Sequence, residues 1–150
     1  MKLRETTAML WAKLSLCTVL IIAALGLVVP LALAQITATV DFVPSTLNLS
    51  SKGKWVKCFI ELPEEYDVND IDAKSILLDG VIAPQKSKVA EEEGVLKVSF
   101  NKPEVIAYLS SLELPQMPAQ VTLTITGSLN SGETFEGSDT IRVINKGKKK

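Results

Sequence analysis

The chain has 150 residues, with 16 basic and 17 acidic side chains, no histidine and two cysteines. A net charge of −1 is not the balance of a nucleic-acid-binding protein. The absence of histidine removes the commonest general base, the Ser–His and Cys–His nucleophile pairs and histidine metal ligands. Carboxylates alone can support glycoside hydrolysis, but nothing in the sequence fixes two of them in a cleft. We therefore expect no enzyme, no catalytic residue and no cofactor.

An uncharged apolar run occupies residues 14–34 and follows a basic N-terminus. A basic region, an apolar region and a small-residue exit are typical of a secretory signal. The run ends in Ala-Leu-Ala after Pro30, which predicts cleavage between Ala34 and Gln35. It is also long enough to span a bilayer uncleaved, as a single N-terminal anchor. A buried helix of a soluble domain is the least consistent alternative, because the run has no polar face.

Both interpretations of this run place the rest of the chain outside the cytoplasm, because the basic flank stays inside. The predicted organisation is a signal peptide or membrane anchor over 1–34, an exported domain over 35–145 and a basic tail over 146–150. The expected location is extracellular or at the cell surface, with membrane contact only through an uncleaved N-terminal segment. The lysine tail is interpreted as a solvated terminus, with anionic polymers or lipid head groups as the alternative partners.

Short segments of alternating apolar and β-branched residues follow the run, and turn residues separate them. In the segment 54–62, the alternation predicts that Val56, Cys58, Ile60 and Leu62 are buried, with Trp55 and Phe59 on the opposite face. We expect the polar stretch from 84 to 93 to be exposed. The predicted strands, in chain order, are 36–43, 46–49, 54–62, 74–78, 95–100, 120–129 and 134–144.

One helix is predicted after the strand 95–100. Asn101 is a good N-cap, and Glu104 stands three residues later, as in a capping box. Val105, Leu109 and Leu112 then recur on one face. The predicted fold is mainly β: an immunoglobulin-like β-sandwich with one short crossover helix between the sheets, preceded by the N-terminal hydrophobic signal or anchor helix.

Three pieces of the chain carry a family resemblance. SKGKWVKCFIELPEEYDVNDIDAKSILLDG (51–80), VLKVSFNKPEVIAYL (95–109) and VTLTITGSLNSGETFEGSDTIRVI (121–144) resemble an uncharacterised β-sandwich domain recurrent in exported archaeal and bacterial proteins. That domain is often C-terminal and sometimes lies beside dockerin or repeat modules. Some of its members carry a D-x-D-G-D loop that suggests calcium, whereas residues 91–94 here read Glu-Glu-Glu-Gly.

Several residues are candidates for binding or modification. Asp67, Asp70 and Asp72 lie in an acidic loop and supply oxygen ligands for calcium, but the loop lacks the D-x-D-x-D-G pattern, so a solvated loop is the favoured interpretation. Asn48 begins an Asn-Leu-Ser glycosylation sequon. Cys58, the only cysteine after residue 34, is interpreted as a small buried residue, with a dimer disulfide or reactive thiol as the alternative.

A sugar platform needs exposed aromatic rings, and Trp55 with Tyr66 is the plausible pair. We expect Trp55 to be covered by a neighbouring sheet or helix instead. The favoured function is a structural or adhesive module that contacts an envelope or extracellular protein. The alternative is an extracellular module that binds polysaccharide or, weakly, calcium.

Overall fold

The computed structural model describes residues 34–147. These residues form a mainly β fold of two sheets and one α-helix, consistent with a β-sandwich. The elements are β1 (Ile36–Thr37), β2 (Thr39–Val43), β3 (Thr46–Asn48), β4 (Trp55–Glu61), β5 (Leu77–Leu78), β6 (Lys86–Ala90), β7 (Val95–Asn101), α1 (Lys102–Ser111), β8 (Ala119–Ser128) and β9 (Thr134–Ile144).

The predicted signal or anchor segment, residues 14–34, lies outside the described residues except for Ala34. Within the described part of the chain, no helix combines the length and the apolar character needed to cross a membrane.

The strands are divided between a four-stranded and a five-stranded sheet. The first has the order β2-β4-β7-β6 and is antiparallel throughout. The second has the order β1-β9-β8-β5, and β3 also pairs with β9. Because α1 connects β7 of one sheet to β8 of the other, the predicted crossover role of the helix is confirmed.

Both sheets bury one face in a shared hydrophobic core. The predicted alternation of β4, β7 and β8 is confirmed, because their buried residues follow a period of two. Burying each large apolar side chain contributes about 1.5–3 kcal/mol, so this core is the main source of stability. The largest fully buried side chains are those of Phe42, Phe100, Phe135, Leu47, Ile60, Ile76, Leu78, Leu109, Leu123, Ile125, Ile141 and Val56.

The predicted strand 36–43 passes from one sheet to the other at Ala38. β1 pairs with β9, and β2 pairs with β4. The passage depends on Gly137 of β9, because a Cβ atom there would lie 2.5 Å from the carbonyl oxygen of Ala38. The Asp139 carboxylate accepts a hydrogen bond from the backbone N–H of Phe42 at 2.9 Å and so ties β9 to β2.

The predicted strand 74–78 is wrong over most of its length. Ala73–Ser75 is a single 3₁₀ turn, and only Leu77–Leu78 is a strand. The Asp72 carboxylate accepts a hydrogen bond from the Lys74 N–H at 3.0 Å and caps the turn. A short polar side chain that bonds the local backbone favours a turn over a strand at this position.

The stretch 84–93 is largely exposed, as predicted, but it also contains a strand that was not predicted, β6 (Lys86–Ala90). β6 is an edge strand and pairs only with β7. An edge strand needs few apolar residues, and lysines are common on it because they discourage pairing with other chains. Its sequence, KSKVA, therefore lacks the alternation that predicts a half-buried strand.

The predicted helix is confirmed in position, but only two of the three residues predicted to share its apolar face are buried. Val105 and Leu109 are fully buried, whereas Leu112 is the C-cap and is 39% exposed. Asn101 is the N-cap, but its side chain makes no capping bond to the backbone and instead donates to the Glu104 carboxylate at 3.4 Å.

Candidate binding surface

The outer face of the four-stranded sheet carries a group of lysine and aromatic side chains. They project from β4, β6 and β7, on the side of the sheet that faces away from the core. We call this group the lysine–aromatic face, and it consists of Trp55, Lys57, Phe59, Lys86, Lys88 and Lys97. The sequence predicted the outward direction of Trp55 and Phe59, and that prediction is confirmed.

Strand register aligns these side chains in rows across the sheet. Lys57 of β4 lies opposite Ser99 of β7, which lies opposite Lys86 of β6. In the next row, Phe59 and Lys88 lie on either side of Lys97. Because β6 was not predicted, neither row of side chains could have been found from the sequence.

Lysine ammonium groups lie near both rings of the lysine–aromatic face. The Nζ atoms of Lys86 and Lys54 are 4.9 and 5.5 Å from the centroid of the Trp55 ring. The Nζ atom of Lys97 is 5.4 Å from the centroid of the Phe59 ring. Cation–π contacts at exposed sites are worth about 0.5–1 kcal/mol each. Both rings are half-buried, so each still offers apolar surface to a partner.

The lysines of this face share the outer side of the sheet with the carboxylates of Asp41 and Glu61, but few of them form ion pairs. Lys97 pairs with Glu93 at 3.1 Å, and this is the one ion pair within residues 34–147. Lys88 lies directly opposite Lys97, and like charges in that relation are destabilising. A depression of about 530 Å³ runs between the rows and is lined by Lys57, Phe59, Lys86, Ser87, Lys88, Lys97 and Ser99.

The calcium candidates do not converge in the structure. The Asp67 carboxylate accepts from the backbone and side-chain nitrogens of Asn69 at 2.8 and 3.0 Å, as the cap of a 3₁₀ turn. Asp72 caps the second turn. Asp70 is exposed, and its backbone carbonyl accepts from Asn130. No group of three or more acidic or cysteine residues within 34–147 has the arrangement of a metal site.

The predicted glycosylation residue, Asn48, lies at the end of β3 and is half-buried. Its side-chain nitrogen donates to the Lys146 carbonyl at 3.3 Å, and its oxygen accepts from the Lys146 N–H at 3.2 Å. In the folded domain, the nitrogen that would carry a glycan is thus already bonded to the chain. Glycosylation at Asn48 stays a prediction.

The predicted cleavage point lies at the start of the described residues. Gln35 is exposed, and its side-chain nitrogen donates to the Glu136 carboxylate at 3.1 Å. β1 begins at the next residue. Cleavage between Ala34 and Gln35 stays a prediction.

The proposed sugar pair does not form one platform. Trp55 begins β4, whereas Tyr66 lies in the loop beyond its far end, and the strand between them is roughly 20 Å long. Phe59, and not Tyr66, shares a face with Trp55. The sequence could have indicated this, because the two residues are four positions apart in one strand.

Cys58 is fully buried within β4, as predicted. Burial raises the pKa of its thiol well above the usual range, and the carboxylates of Asp139 and Asp41 raise it further. A neutral buried thiol is a poor nucleophile. Cys58 therefore packs in the core.

No protein-family model matches the chain, and neither the curated proteins nor the solved structures include a significant match. The family resemblance stated above stays a prediction.

Proposed function

We propose that this protein is an exported, non-catalytic domain of immunoglobulin-like β-sandwich architecture. It makes structural or adhesive protein contacts at the cell envelope, and the lysine–aromatic face is the surface that binds the partner. The observation that carries the proposal is the position of Lys57 and Lys97, together with two half-buried rings, on the inner strands β4 and β7.

The main alternative explanation of the lysines is protection of a sheet edge. Lysines on an edge strand discourage pairing with other chains, and this accounts for Lys86 and Lys88 of β6. It does not account for Lys57 and Lys97, because β4 and β7 are paired on both sides. Aromatic rings, Trp above all, are among the residues that dominate binding energy in protein interfaces, and the charges around them influence the choice of partner.

The test uses charge reversal on each of the two sheets. Envelope extracts are passed over the immobilised wild type, the double variant Lys57→Glu/Lys86→Glu and the control Arg142→Glu. Arg142 is exposed on the other sheet, so the control changes charge away from the proposed surface. The proposal expects the wild type and Arg142→Glu to retain the same protein and the double variant to lose it. Equal retention by all three proteins would contradict it.

A second candidate function is polysaccharide binding, because the Trp55 and Phe59 rings and the lysines share one surface. Pull-down on insoluble glycans, with and without EDTA, separates the candidates. Retention by an acidic glycan that EDTA does not change would favour this second function. Release by EDTA would favour calcium, although the aspartates that could bind it are dispersed.

A further inference from the structure

The end of the domain to which β4 runs brings three loops together. β4 ends at Glu61, which lies opposite Val95 of β7, so residues 62–72 and the β6–β7 turn leave the four-stranded sheet at the same end. Residues 62–72 also reach the β8–β9 turn. Ile71 pairs with Leu129, and the Asn130 N–H donates to the Asp70 carbonyl at 2.7 Å.

These three loops carry acidic side chains and no lysine or arginine. We call this group the acidic end: Glu64, Glu65, Asp67, Asp70, Glu91, Glu92, Glu93 and Glu133. All of these side chains are exposed, and only Glu93 is within ion-pair distance of a basic group in residues 34–147. The acidic end therefore keeps most of its negative charge available to an outside partner.

The acidic end also presents an aromatic residue. Tyr66 is half-buried against the core and, in the sequence, follows Glu64 and Glu65 and precedes Asp67. A ring flanked by carboxylates complements a surface of rings flanked by lysines, both in charge and in apolar character. Trp55, Lys57 and Lys86 lie towards the opposite end of β4 and β7, away from these loops.

We infer that the lysine–aromatic face binds the acidic end of a second copy of this chain. The inference rests on the proposed function and names the partner of the same surface. Because the two contacting surfaces differ, the contact is heterologous, and each added copy leaves one free surface of each kind. Such contacts build open chains of molecules unless the rotation between copies closes a ring.

The complementarity rests on charges of opposite sign that the molecule itself provides. The acidic end adjoins the lysine–aromatic face at Lys88 and Lys97, which line one depression with Glu91, Glu92 and Glu93. Lys57 and Lys86 lie farther along the sheet, and Lys97 with Glu93 is the one ion pair between the two groups within residues 34–147. Association between copies supplies the missing partners to both. An acidic polysaccharide would supply counter-charges to the lysines alone and would leave the acidic end without a binding partner.

Two double variants test the inference. Both are made in the form of the protein that we propose is exported. Lys57→Glu/Lys86→Glu alters only the lysine–aromatic face, and Glu64→Lys/Glu65→Lys alters only the acidic end. All four side chains are exposed and make no hydrogen bond within residues 34–147, so both variants are expected to fold. Sedimentation velocity is measured over a concentration series at low ionic strength, with Arg142→Glu as the control.

The inference expects the wild type and Arg142→Glu to gain mass with concentration and each double variant to stay monomeric. An equimolar mixture of the two double variants retains one intact pair of surfaces. It should therefore form a dimer and nothing larger. Moderate salt should dissociate the wild-type chains, because the Debye length falls from about 30 Å at 0.01 M to about 8 Å at 0.15 M.

Two outcomes would overturn the inference. One is a wild type that stays monomeric over the whole series, and the other is a mixture that behaves as two independent monomers. The wild type could be monomeric while retention of a protein from envelope extracts still depends on Lys57 and Lys86. In that case the proposed function stands and only the identity of the partner is wrong. If an acidic glycan binds the wild type and its binding requires these lysines, the partner is that glycan.

Discussion

The outer faces of the two sheets differ in how their polar groups are satisfied. On the five-stranded sheet, Thr122 bonds Thr140 at 3.0 Å, and Thr124 bonds Ser138 at 2.9 Å, so these hydroxyls are paired across β8 and β9. On the four-stranded sheet, the lysines have one ion pair among them and face each other across β6 and β7. Both sheets bury one face in the shared core. The lysines lack the polar partners that the threonines have, and for this reason we propose that the lysine–aromatic face binds a partner.

The largest expected effect separates the inner face of the four-stranded sheet from its outer face. Ile60 is fully buried in β4, and Ile60→Ala should lower the free energy of unfolding by about 2–5 kcal/mol through lost burial and a cavity. Lys57→Ala on the opposite face should change it by no more than about 0.5 kcal/mol. Denaturant unfolding measures both. A greater loss for Lys57→Ala would mean that the lysine–aromatic face is structural.

The next effect concerns the passage of the chain between the sheets. Gly137→Ala places a methyl group against the Ala38 carbonyl and should cost about 1–3 kcal/mol through overpacking. Gly147→Ala is the matched control, since a Cβ atom there meets nothing within 4 Å. Thermal unfolding compares the two. Equal stability of both variants would contradict the close contact between β9 and the β1–β2 passage.

A smaller effect tests the paired hydroxyls of the five-stranded sheet. A double-mutant cycle with Thr122→Ala and Thr140→Ala should give a coupling of about 0.2–1 kcal/mol, as expected of cross-strand threonine pairs. The unfolding free energies of the four proteins supply the coupling. Strictly additive losses would show that these hydroxyls do not stabilise the face.

The smallest effect tests the unpaired lysines. Lys88→Thr removes one of two like charges that face each other across β6 and β7. Stability should stay within about 0.5 kcal/mol of the wild type, and the change should favour the variant. Any gain should shrink as salt is added, because salt screens exposed charges. A loss above about 1 kcal/mol would assign Lys88 a structural role.

The sequence predicted the strands that bury one face in the core. β4, β7, β8 and β9 alternate for this reason, and so does the edge strand β2. β6 is an edge strand that buries no residue fully, so its composition was not constrained to alternate. The turn at Ala73–Ser75 depends on the hydrogen bonds of Asp72 and Ser75, which a pattern of apolar residues does not record.

The candidate surface was less predictable than the fold. Lys57, Lys86, Lys88 and Lys97 are each unremarkable in sequence, and their relation appears only when the register of three strands is known. Trp55 and Phe59 could be assigned to the outer face from β4 alone. A surface assembled from separate strands depends on tertiary pairing, whereas the side on which a residue lies depends on local periodicity.

Site-specific photo-crosslinking in the cells that make the protein would show directly which surface of the domain contacts another protein. A photoreactive residue replaces Lys88 on the lysine–aromatic face in one variant and Thr122 on the other sheet in a second. Both positions are exposed on strands, so the photoreactive side chain faces solvent in either variant. We expect a discrete covalent adduct with a protein from position 88 and none from position 122. An adduct from position 122 alone would contradict the assignment of the binding surface.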